Sequence, residues 1–74
     1  MTVAKVIFNR NNLCLTENED GTYTYRYGEE RFVTIEQLEN RAFVMYYMGN
    51  KEKYDREFPS LDEVLLYAEA KLKE

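Results

Sequence analysis

Two periodicities divide this chain. Between Leu13 and Tyr27 apolar and polar side chains alternate, the period of an extended strand, whereas after Pro59 the apolar residues recur three and four positions apart, the period of a helix. The helix is the more fully specified element. Ser60 is its N-cap and Glu63 completes a Ser-x-x-Glu capping box. Asp62 and Glu63 set negative charge at the positive end of the macrodipole, and Lys71 and Lys73 do the reverse at the other end. Leu61, Val64, Leu65, Ala68 and Leu72 fall on one stripe, which must lie on an apolar surface, and a sheet is the surface expected.

The strands follow in order. Thr2 to Phe8 is rich in Val and Ile on both faces, which predicts a central strand. Asn9 to Asn12 then supply turn chemistry before a strand that begins at Leu13. After a turn around Asn18 to Gly21, the segment Thr22 to Tyr27 sets Tyr23, Tyr25 and Tyr27 on one face and Thr22, Thr24 and Arg26 on the other. Gly28 to Glu30 turn the chain into a short strand, Arg31 to Val33. Thr34 is then placed to cap a brief helix, with Gln37 in its capping-box position and Leu38 turned inward. Ala42 to Met48 would be apolar all round as a helix, more than so small a domain can bury, so a strand is predicted. A turn at Gly49 and Asn50 and a polar edge strand from Glu52 to Phe58 follow. The architecture expected is α+β: an antiparallel meander of five to six strands with a short helical insertion and one C-terminal helix packed on a sheet face.

At 74 residues the chain is expected to form one small domain, 1–74, in which every large apolar side chain counts. Seven Tyr and four Phe are too many for a disordered segment. The single cysteine, Cys14, excludes an intrachain disulfide. With no signal-peptide, membrane-span or lipidation pattern, a cytoplasmic, reducing location is expected.

Candidate chemistry is sparse. Without any histidine the chain lacks the usual proton shuttle and the commonest metal ligand. The only serine, Ser60, is accounted for as a cap, and Cys14 has no base to activate it. Glu29 and Glu30 are adjacent, hence on opposite sides of an extended backbone, and no cofactor motif appears. A non-enzymatic protein is expected.

Charge points to a partner. The net charge of −4 is concentrated between residues 17 and 30, where Glu17, Glu19, Asp20, Glu29 and Glu30 face Arg26 alone. Such carboxylates suit a basic protein and disfavour direct nucleic-acid binding; a DNA mimic occupying a nucleic-acid-binding protein is the sharpest form of this expectation. The two clusters flank one strand and stand roughly 20–25 Å apart at about 3.3 Å per residue, so they cannot form one patch in a monomer. Small acidic proteins with no catalytic residues are common among the accessory proteins of phages and mobile elements, which modulate host macromolecules, and the chain is expected to act in that manner.

Two alternatives stand beside this. Tyr23, Tyr25 and Tyr27 would serve as a stacking platform for single-stranded nucleic acid if the helix left them bare; if it covers them they are core, the expectation preferred here because the Thr and Arg face is the better solvent face. Leu66, Tyr67 and Ala70 lie off the buried stripe and form a small second apolar face, suited to a homodimer contact or a second partner site.

Overall fold

The computed structural model describes residues 4–47 and 56–74. Five strands, β1 (Lys5–Arg10), β2 (Leu13–Glu17), β3 (Tyr23–Tyr27), β4 (Arg31–Gln37) and β5 (Phe43–Tyr47), precede one helix, α1 (Leu61–Leu72). All neighbouring pairs are antiparallel and the sheet order is the chain order, a meander as expected.

The turns explain the connectivity. Asn11 and Asn12 form a two-residue link with φ of 53° and 66°, left-handed values that asparagine tolerates and that match the twist of the strands they join. At the β2–β3 turn the Asp20 carboxylate accepts from the Thr22 amide at 3.0 Å and its hydroxyl at 2.7 Å, while Asn18 Nδ2 donates to the hydroxyls of Thr22 and Thr24. Arg41, at φ 72°, closes the β4–β5 turn, where its amide donates to the Leu38 carbonyl.

Two expectations are corrected. The brief helix expected from Thr34 does not form: β4 continues through Thr34 to Gln37, pairing Ile35 with Met45 and Gln37 with Phe43. The physical reason is burial. Val33 and Ile35 are both fully buried two residues apart, a spacing that a strand satisfies and a helical turn breaks, so tertiary pairing overrides the capping signal at Thr34. The first strand is an edge strand rather than a central one, and Val6 and Ile7 are 59% and 44% exposed on it. Its register with β2 slips between Val6 and Phe8, a bulge that leaves Ile7 as the extra residue. The turn at Gly49 and Asn50 and most of the polar strand expected from Glu52 lie outside the described residues. Phe58, at that strand's far end, makes an isolated antiparallel bridge to Phe43.

The helix begins and ends where the sequence places it. Ser60 Oγ accepts from the Glu63 amide at 3.3 Å, and Asp62 and Glu63 occupy the first turn. Its stripe of Val64, Ala68 and Leu72 is fully buried against Leu15, Tyr25, Val33, Ile35 and Met45, with Leu61 and Leu65 packed at the margin. It lies over β3, β4 and β5, which leaves the flank toward β1 open on the same face.

Candidate protein-binding surface

Strand register decides where each predicted site residue goes. Leu15, Tyr25 and Val33 are cross-strand neighbours on the helix-covered face, and so are Glu17, Tyr23 and Ile35. The three tyrosines are therefore beneath the helix. Tyr25 is 2% exposed, and Tyr23 and Tyr27 pack against the core as half-buried residues. The Tyr27 ring carries Lys73 at 5.9 Å and that of Tyr25 meets Phe8 edge-on at 5.9 Å, so neither face is offered to a base.

The opposite face is only partly exposed, and Val44, which pairs with Glu36 on it, is fully buried. Val6, Thr16, Thr24, Thr34 and Tyr46 line up across it in register, with Cys14, Arg26 and Phe32 in the adjoining row. These side chains pair among themselves. Arg26 lies 5.2 Å from the Phe32 ring, Tyr46 donates to Glu36 at 2.8 Å, and the half-buried Cys14 thiol is 3.7 Å from the Thr16 hydroxyl. The bond to Glu36 is also the main reason the Tyr46 hydroxyl titrates above its ordinary range.

The acidic residues separate as their spacing implied, but their company differs. Glu17, Glu19 and Asp20 share one end of the sheet with Glu39 of the β4–β5 turn and with Asp62 and Glu63, because the Phe43–Phe58 bridge brings α1 in at that end. Glu29 and Glu30 lie at the other end, among Arg26, Arg31 and the last helical turn with Lys71 and Lys73. The first end is predominantly acidic, with Lys5 opposite Glu17, Arg41 in the β4–β5 turn and Arg56 beside Phe58 as its bases, and the other is mixed. Asp20 is partly committed already: its bonds to Thr22 hold its carboxyl below the usual range.

The second apolar face also divides. Tyr67 turns toward β5, its ring 5.2 Å from that of Phe58 and approached by Arg56 at 5.1 Å and Lys71 at 5.6 Å. Leu66 faces the other flank. There, 70% exposed, it borders an open trough of about 340 Å³ between α1 and β1, together with Phe8, Arg10, Tyr25, Asp62, Leu65 and Glu69. Ala70 is exposed and does not line the trough. Of the trough residues only Leu66 and Tyr25 are candidate site residues in the sequence; Asp62 and Leu65 are placed there as a first-turn acid and a member of the core stripe. Phe8 and Arg10 carry no signal of their own, since their meeting with α1 depends on β1 being the edge strand.

Among the described residues no group of three or more His, Cys, Asp or Glu is placed to hold a metal ion, and no helix is long and apolar enough to cross a membrane. No family model matches the chain, and neither a curated protein nor a solved structure matches it.

Proposed function

We propose that this protein is a non-enzymatic interaction module that occupies a basic surface on another protein and thereby inhibits or modulates it, in the manner of a phage or mobile-element accessory protein. The observation that carries the reading is the gathering of Glu17, Glu19, Glu39, Asp62 and Glu63 at one end of the molecule, drawn from three separate elements that are distant in sequence. Carboxylates so grouped generate a field that steers a basic partner and raises its on-rate. Two features support a protein rather than a nucleic acid as the target: the tyrosines of β3 are packed under α1, and the acidic pole repels phosphate.

The test compares capture from nuclease-treated lysate by the natural chain and by two variants. In one, Glu17, Glu19, Glu39 and Glu63 become Gln; in the other, Glu29 and Glu30 become Gln. A partner bound at low salt, released as salt rises and lost by the first variant alone, is the expected result. Capture that is indifferent both to salt and to the first set of changes would sink the reading.

A further inference from the structure

We infer that Asp20 and Gly21, in the β2–β3 turn, form a latent site of isoaspartate formation: the folded turn engages both reacting groups in hydrogen bonds, and opening the turn frees them to react. The inference is independent of the function proposed above.

The chemistry needs these two neighbours and water. The Gly21 backbone nitrogen, once its proton is lost, attacks the carboxyl carbon of the Asp20 side chain. A C–N bond forms, a carboxyl oxygen leaves as water, and the product is a cyclic succinimide. Water then opens the ring at either carbonyl. Opening at the side-chain carbonyl restores aspartate, whereas opening at the main-chain carbonyl leaves the chain running through the side-chain carbon with the former main-chain carboxyl free. That product is isoaspartate, with the same mass and formal charge. Glycine suits the second position because no side chain shields its nitrogen and its backbone turns freely. Residues 20 and 21 are the only Asp-Gly pair in the sequence, Asn-Gly is absent, and the space beside the Gly21 Cα is open.

In the folded chain both groups are occupied. The Gly21 amide donates to the Asn18 carbonyl at 3.0 Å, and that bond must break before the nitrogen can lose its proton to solvent. The Asp20 carboxylate accepts from the Thr22 amide at 3.0 Å and from the Thr22 hydroxyl at 2.7 Å. Asn18 holds Thr22 in turn, its Nδ2 donating to the Thr22 hydroxyl at 3.0 Å and its amide to the Thr22 carbonyl at 2.7 Å. The bonds from Thr22 also keep the Asp20 carboxyl ionised to lower pH than usual, and a carboxylate is a poorer electrophile than a carboxylic acid. An isoaspartyl link would lengthen the main chain of the turn by one atom and move the carboxylate away from Thr22, next to the Glu17–Tyr23 pair that ends the hairpin ladder.

The test keeps the full chain at neutral pH for several weeks, folded or unfolded in guanidinium chloride. The tryptic peptide from Asn11 to Arg26 is then analysed by chromatography and electron-transfer mass spectrometry, which distinguish isoaspartate from aspartate. Isoaspartate at position 20 should accumulate in the unfolded chain and form about tenfold or more slowly in the folded one, since reaction there waits on local opening. Thr22→Ala removes the hydroxyl that bonds both Asp20 and Asn18, and it is expected to speed the folded-state reaction severalfold while circular dichroism shows the fold retained. Hydrogen exchange of the natural chain gives a reading that needs no variant: the Gly21 amide should exchange about tenfold or more slowly than in the unfolded chain. Equal rates of isoaspartate formation in the folded and unfolded chains, none in the unfolded chain, an unprotected Gly21 amide, or a folded Thr22→Ala chain that reacts no faster than the natural one would overturn the inference.

Discussion

Arg31, the first residue of β4, donates from Nη1 to the carbonyl of Leu72, 41 positions later in the chain, at 2.9 Å, and also to the carbonyl of Glu74. A sheet residue thus caps the helix. The last carbonyls of α1 have no intrahelical donors, and a guanidinium at this end satisfies them and opposes the macrodipole. Arg31→Ala is expected to lower stability by about 1 kcal/mol, read as a reduced urea midpoint at unchanged slope. Arg31→Lys should recover only part, since the shorter lysine stem carries a more strongly hydrated ammonium to the two carbonyls that Arg31 Nη1 reaches. An unchanged midpoint for the alanine variant would mean that Leu72 packing alone holds the last turn.

At the other end of the helix Ser60 accepts from the Glu63 amide. Ser60→Ala should lower stability by about 1 kcal/mol, and Ser60→Asp should come close to the natural chain. Equal midpoints for all three chains would show that the cap is replaced by water without loss.

Val64 and Leu66 sit two positions apart and differ completely in burial, Val64 being fully enclosed. Val64→Ala removes packed methyl groups from the centre of the core and is expected to destabilise by about 1–3 kcal/mol, a large share of what a domain this small holds. Leu66→Ala should stay within about 0.5 kcal/mol. Thermal unfolding of the pair separates the two roles directly, and a large loss from Leu66→Ala would show that this residue is structural.

Burial, and after it the neighbouring Glu69 carboxylate, raise the Tyr25 hydroxyl above its ordinary 10.0, with Arg10 acting in the opposite direction. A raised folded-state value means that the neutral phenol is favoured by folding. Its contribution is therefore full below about pH 10 and is lost as pH climbs through the folded value. Stability measured against pH above 10 should fall more steeply in the natural chain than in Tyr25→Phe. Parallel curves would show that the hydroxyl reaches water without unfolding.

Local chemistry was legible where neighbours in sequence are also neighbours in space. The cap at Ser60, the stripe from Val64 to Leu72, the asparagine turn after β1 and the alternation from Leu13 to Tyr27 depend on contacts within a few residues, so they can be read in one dimension. Thr34 shows the limit of such reading. Its capping-box spacing is genuine, yet β4 runs through it because pairing with β3 and β5 buries Val33 and Ile35, a gain that no local signal contains.

By itself, the sequence determined an α+β domain, the placement of its C-terminal helix and the exclusion of histidine chemistry, because composition and periodicity depend only on which residues are present and how they are spaced. Only the tertiary structure decided that β1 is an edge, that the helix covers the tyrosines of β3, and that Asp62 joins the acidic pole while Glu29 and Glu30 sit among bases. Those are relations between elements far apart in the chain. They follow from strand register and from the flank of the sheet on which one helix comes to rest.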